Sequence, residues 1–449
     1  MVGQMKLIIQ WKNMFKFYNF LILIILIFPQ YLYSADLMDI YTRSLKHNND
    51  LKIIVNKHKI SEELYNQTSS TIFPTVSLSA NSNKTEINKY IGAGTNTDYT
   101  TEIYSINITQ PIFRLSFFDE LEKADDLIKK SNLVVLNQEK IIMIKSAELY
   151  FNLINKRNEI SAAMNKEKMM FLKYDNSKKL FQRGLITDAE LNRHRNNYDL
   201  SLIEYDMAKN NLDLSEQDIY IFAGKKIEEI HNLDTEIEIP ISNYDIVYVM
   251  SKALAFDENI KMAEYDVSIS KNDMRSNKSQ HYPTLDLVAS YDYSDVSSGT
   301  RFGATKKEAS TVGVSLNFPI YQGGFQTAKI NEARYVYENA QINLDQMKRN
   351  LKKEIIEKIN MHNLLKKMII AKKTDYQSNN QNYKSAKKGF MSGTYTDVEV
   401  QETKLNLIQA KNSYIKTALD YILMDLKLKK YSSSLTKDNI KEINAMLIW

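Results

Sequence analysis

The chain has 449 residues, 43% hydrophobic and 25% charged, with a net charge of only +5 and no cysteine. So balanced a chain has no basic footprint for nucleic acid. The missing thiols exclude disulfides, thiolate metal sites, a Cys nucleophile and an acylated N-terminal cysteine. With only 12 Gly and 6 Pro, long uninterrupted elements are expected.

In chain order, Lys12 and Lys16 precede the apolar run Phe20 to Phe28, which Pro29 ends before the small pair Ser34-Ala35. The run is far shorter than the roughly 20 residues that span a bilayer, and residues 1–34 read as an export signal starting at Met1 or Met14. No later run approaches membrane-helix length, so any membrane insertion must be by strands. A helix is expected over Leu37 to Ser70. Two alternating segments follow. Val76, Leu78 and Ala80 alternate with Thr75, Ser77 and Ser79, and Tyr104, Ile106 and Ile108 with Ser105, Asn107 and Thr109. From Leu115 to about Gln182 nothing breaks a helical pattern; Gly184 marks a turn, and a second helix runs from Asp188 to Phe222.

The chain then repeats itself. Pro74 recurs as Pro283 and Gly184 as Gly393, at the same offset of 209 (283 − 74; 393 − 184). Thr187-Asp188-Ala189-Glu190 answers Thr396-Asp397-Val398-Glu399. That period is too long for a solenoid, whose units run roughly 20 to 50 residues. The second copy gives a helix over Ile246 to Gln280, then strands around Leu285 to Tyr293 and Val312 to Phe318. A long helix from Gly324 to about Phe390 and a last one over Asp397 to Lys430 complete it. In the long helix Ile330, Ala333, Tyr337, Ala340, Leu344, Met347 and Leu351 form a heptad seam, which stutters at Ile355 and Ile359. The organisation is thus a signal over 1–34, a first repeat over 35–222, a linker over 223–243, a second repeat over 244–430 and a tail over 431–449.

Period-two segments of about ten residues fit an outer-membrane barrel, and equally a half-buried sheet. Polar, Gly-bearing stretches, Asn83 to Thr100 and Asp295 to Ala309, join each pair. Two hairpins leave open edges that lipid does not tolerate, so strands in a membrane require several copies of the chain. The six histidines lack metal-ligand spacing, and no phosphate loop, nucleophile elbow or acid/base pair is found. No enzyme activity, metal or cofactor is expected. At the two hairpin turns, Thr187 with Glu190 and Thr396 with Glu399 have the spacing of capping boxes.

Phe318-Pro319-Ile320-Tyr321-Gln322-Gly323-Gly324, together with Pro283 to Leu287, Gly393-Thr394 and Asp397-Val398, resembles the TolC family of outer-membrane exit ducts. The resemblance spans about residues 35–449. It implies a mostly α homotrimer with four strands per chain in a 12-stranded outer-membrane β-barrel, continued by a coiled-coil helical tunnel across the periplasm. It also implies a mixed equatorial region over 224–243 and after Tyr431. The duct would sit in outer-membrane lipid and export small molecules, proteins or both. Having no engine, it would work with a periplasmic adaptor and an inner-membrane ABC, resistance-nodulation-division or major-facilitator transporter. The adaptor would dock near Arg183 to Tyr198 and Met391 to Lys404.

Counted from Gly393, Glu399 and Glu402 fall on the family's acidic entrance ring, and Glu190, counted from Gly184, on an acid of its latch. Where the family has a tyrosine before the glycine and an arginine after it, this chain has Phe390 and Tyr395. Phe390 cannot donate a hydrogen bond and Tyr395 cannot form a bidentate ion pair. The expectation is a latch built from Arg183 or Lys388 with Glu190 or Asp188, or a weaker one. The competing reading is a structural coiled-coil protein, either a periplasmic adaptor or a surface adhesin stalk; it leaves the two strand pairs and their polar loops unexplained.

Overall fold

The computed structural model of the chain describes residues 36–89, 91, 98–227, 230–297 and 303–448. The expected signal over 1–34 and parts of both strand-joining loops lie outside them. Helices α1 (Leu37–His47) and α2 (Asn49–Ser70) replace the single helix expected. Asn48 causes the break: its backbone is extended and its side chain accepts from Leu51 N, which makes it the N-cap of α2. Strands β1 (Thr75–Thr85) and β2 (Tyr99–Phe113) follow, then α3 (Leu115–Gln182) and α4 (Asp188–Ala223). After β3 (Asn232–Leu233) the pattern recurs with α5 (Ile246–Phe256), α6 (Glu258–Ser279), β4 (Thr284–Val296) and β5 (Thr305–Asn317). Asp257 splits α5 from α6 as Asn48 splits the first pair, accepting from Asn259 N and Ile260 N. The second hairpin is α7 (Phe325–Met391) and α8 (Asp397–Tyr431); α9 (Lys437–Asn444) and β6 (Leu447–Ile448) end the chain. Helices α3 and α7 have 68 and 67 residues, so each extends about 100 Å at about 1.5 Å per residue.

The long strands form one antiparallel sheet in the order β1-β2-β4-β5. Its register places Val76 opposite Ile108, Ile108 opposite Ala289, and Ala289 opposite Val312. Leu78, Ile106 and Tyr291 align in the same way. All the apolar alternates therefore share one face, and Ser77, Asn107, Ser290 and Thr311 line up on the other. The apolar face is bare: Leu78 is 75% exposed and Val312 76%. A water-soluble sheet buries that face; a sheet turned towards lipid leaves it out. β1 and β5 end the sheet with unpaired edges.

The helices continue the strip. Near the sheet α2 packs on α3, α3 on α6, and α6 on α7; farther away α4 packs on α3, α3 on α8, and α8 on α7. The two copies are tied by polar contacts between α3 and α6, including Arg275 to Asp119 (2.9 Å), Lys130 to Asp266 (2.5 Å), Lys123 to Asp273 and Lys140 to Glu258. The largest apolar core lies at mid-height. Leu37, Ile40 and Tyr41 of α1 meet Tyr150, Leu153 and Ile154 of α3, Ile219 of α4, and Tyr414, Ile415 and Leu419 of α8. In the seam of α7, Ala333 and Leu351 are buried, as are Ile355 and Ile359 beyond the stutter.

A belt crosses this core. β3 pairs antiparallel with β6, which brings the tail beside the linker. The linker is strapped down where Ser242 N donates to the Tyr421 hydroxyl (2.8 Å) and the Tyr244 hydroxyl donates to Asp425 Oδ1 (2.8 Å). Beneath it His362 is wholly buried between the Tyr244 and Tyr421 rings, with Asp425 3.8 Å away. Burial holds the His362 imidazole below its ordinary pKa.

Candidate channel entrance at the hairpin tips

Both hairpins turn on a glycine in the left-handed region, Gly184 (φ +69) and Gly393 (φ +77), a conformation that costs other L-residues about 1–2 kcal/mol. In the first turn Gly184 N donates to Phe181 O (2.9 Å) and Leu185 N to Leu180 O (3.0 Å). In the second the acceptor hub is the Gly389 carbonyl, which takes hydrogen bonds from Thr394 N (2.8 Å), Thr394 Oγ1 (2.9 Å) and Ser392 Oγ (3.0 Å). The Tyr395 ring folds back over Gly389 so closely that a Cβ there would lie 2.4 Å from ring carbon Cδ2. Tyr395 is thus committed to its own turn. Phe390 is half exposed and Met391 largely so.

Beyond the turns, α8 opens on a complete capping box. Glu399 N donates to Thr396 Oγ1 (3.3 Å), while Thr396 N (2.7 Å) and Oγ1 (2.8 Å) donate to Glu399 Oε2. These donors, the backbone N–H first, hold the Glu399 carboxyl below its ordinary pKa. The first turn is capped on one side only. Thr187 Oγ1 accepts from Glu190 N (3.3 Å), but the Glu190 carboxylate turns to Arg193 at 3.6 Å. Asp188 accepts from Asn192 (2.9 Å). Among the described residues neither Arg183 nor Lys388 makes an ion pair, so within one chain the expected pairing with Glu190 or Asp188 is not formed.

One ion pair does cross between the hairpins. Lys173 Nζ of α3 lies 3.5 Å from Glu402 Oε2 of α8, with the lysine side chain 26% exposed and the glutamate 53%. The structure therefore brings Glu399 and Glu402 to the same end of α8 but gives them different work: one caps its helix, the other reaches the neighbouring hairpin. Sequence reasoning missed Lys173, which sits in a uniform helical pattern and meets its partner only through the tertiary fold. It also missed Gly389, although a glycine inside a helical run signals close approach. Among the described residues no group of three or more His, Asp or Glu is placed to hold a metal, and no helix is long and apolar enough to cross a membrane.

Comparison with known proteins gives this geometry its context. A family model described as outer membrane efflux protein matches residues 249–432. The chain is 23% identical over 424 residues to outer membrane protein TolC of Escherichia coli, covering 92% of this chain and 85% of that one. It is 18% identical over 424 residues to the alkaline protease secretion protein AprF of Pseudomonas aeruginosa, covering 93% and 88%. In fold it is similar to the CmeC outer membrane channel of Campylobacter jejuni, with a TM-score of 0.74 at 18% identity over 92% of this chain and 90% of that one. Across nearly the whole described chain it is similar in sequence and fold to outer membrane efflux channels, and the second repeat carries the match to the outer membrane efflux protein family model.

Proposed function

We propose that three copies of this chain form an outer-membrane exit duct whose periplasmic mouth is the ring of hairpin tips. The observation that carries the reading is the bare apolar face of a four-stranded sheet that ends in two unpaired edges. Lipid accepts such a sheet only when every edge is closed, and copies joined edge to edge close it. The sheet becomes a barrel wall, and the α3–α4 and α7–α8 hairpins become the tunnel below. A mid-height belt built from the linker and tail, residues 223–227, 230–243 and 431–448, girdles it. The repeat units 35–222 and 244–430 then alternate around the axis. In this reading a periplasmic adaptor and an inner-membrane transporter supply the energy, the adaptor seating in grooves near the tips. The cargo, small molecules or secreted proteins, is chosen by that transporter.

At the mouth, Glu399 and Glu402 of each chain place carboxylates around a narrow opening. Like charges held together around an opening attract cations. Glu402 is also the residue that Lys173 reaches, so the pair ties the two hairpins of a subunit in the closed mouth. Glu190, Phe390 and Tyr395 stand at the same level; Phe390 and Tyr395 contribute packing rather than an ion pair. The test is a Glu399→Ala/Glu402→Ala double variant in planar bilayers: cation preference is lost if the carboxylates form the mouth, and unchanged selectivity overturns the assignment.

A further inference from the structure

The strip has two long helical edges, α4 on the side of β1 and α7 on the side of β5, and they differ in charge. On α4 the positions Leu200, Ile203, Met207, Asn210, Leu214, Gln217 and Ile221 step alternately by three and four. This heptad seam is mostly apolar and faces outward, with Leu200 50% and Ile221 73% exposed. Its flanking positions are acidic: Asp199, Glu204, Asp206, Asp213 and Asp218. On α7, Met361, Leu364 and Met368 form an exposed seam of the same spacing. There Lys353, Lys358, Lys367 and Lys372 take the flanks. Flanking positions of this kind set partner choice in paired helices.

The two seams are level. The α8 residues that correspond by the repeat to Leu200 and Ile221 are Gln409 and Lys430. Within that stretch Tyr414 stacks on Tyr376 of α7 at 6.2 Å, and Asp425 lies 3.8 Å from His362. Some flanking charges are used inside the chain: Glu204 by Lys166, Lys358 by Glu354, Lys353 by Glu357 and Asp199 by Arg195. Among the described residues Asp206, Asp213, Asp218, Lys367 and Lys372 have no oppositely charged partner within 4 Å.

We propose that the acidic α4 seam of one copy packs against the basic α7 seam of the next, so that charge complementarity sets the order and register in which the ring closes. The contact is head-to-tail, the kind that generates rings when the rotation closes. Each edge repels its own kind, which disfavours α4–α4 and α7–α7 pairing. The inference rests on the ring reading above and adds to it a dependence on ionic strength.

The test uses full-length chain extracted in detergent, with assembly measured by light scattering in about 50 mM and about 500 mM salt. Lys367→Glu/Lys372→Glu should raise the concentration of half-dissociation about tenfold or more at low salt, because attraction becomes repulsion on both flanks. The effect should shrink at high salt, where the Debye length falls to a few ångström. Adding Asp206→Lys/Asp213→Lys in the same chain should restore assembly, an outcome that a folding defect cannot produce. If the lysine reversals leave assembly at wild-type strength at low salt, or the fourfold variant is no better than the double, the charge proposal is overturned while the ring stands. If wild-type chain is monomeric at every salt, the ring reading fails and takes this one with it.

Discussion

Replacing Lys173 by Gln removes an ion pair that joins the two hairpins toward their tips. The pair is 3.5 Å long and its glutamate is 53% exposed, so it belongs with surface ion pairs worth about 0.2–1 kcal/mol. Taking about 0.5 kcal/mol per pair, a mouth of the proposed trimer that opens by parting all three equivalent pairs would lose about 1.5 kcal/mol of closed-state stability, or about tenfold in the open-to-closed ratio. The same change frees the Glu402 carboxylate, so cation preference and block by divalent cations should both strengthen. Single-channel recording at low salt reads these quantities together, and Glu402→Gln should match the change in opening while reversing the change in selectivity. An open fraction within twofold of wild type, with unaltered divalent block, would mean that the Lys173–Glu402 pair does not hold the tips closed.

Three further outcomes follow from the geometry. Asp257 is buried, caps α6 and has its pKa raised by burial; Asp257→Ala should cost about 1–2 kcal/mol. Asp257→Asn keeps the cap without a buried charge and should be no less stable at neutral pH, by thermal melts of the assembled protein. His362 is held neutral in the fold, so below its ordinary pKa of 6.5 the unfolded chain takes up a proton that the folded chain resists. Asp425 favours that proton and Lys366 opposes it, burial outweighing both. Hydrogen exchange of the 239–245 strap, corrected for intrinsic rate, should therefore quicken as pH falls from 7.5 to 5.5; His362→Phe should flatten the response. At the second turn, Gly389→Ala must push the Tyr395 ring aside. Because that ring is exposed and Ala favours helix by about 1 kcal/mol, global stability should hold while proteolysis within 390–396 accelerates.

How much was legible depended on whether the signal was local. The strand faces could be read because period two survives in Val76, Leu78, Ile106, Ile108, Val312 and Val314, and pairing only had to align them. The long helices could be read because Gly and Pro are scarce between Leu115 and Gln182 and between Phe325 and Met391. The breaks at Asn48 and Asp257 were missed: each sits in an otherwise helical pattern, and only the extended backbone shows that its side chain caps the helix after it. Their equivalence in the two repeats was the available signal. The β3–β6 pairing joins the middle of the chain to its last residues through two residues each, too short for any periodicity. At the second hairpin turn, the capping role of Glu399 followed from Thr396 three residues before it. The Lys173–Glu402 tie did not, because neither residue carries a mark of its partner. The half-formed box at Glu190 reflects competition from Arg193, one turn on and able to offer a charge where the Thr187 N–H offers only a dipole.

Closure of one outer-membrane barrel by three chains fixes the mass of the assembly extracted from outer-membrane fractions, before and after heating. A three-subunit complex should migrate as a trimer unheated and as a single chain after boiling. A monomer recovered in the soluble periplasmic fraction would contradict it.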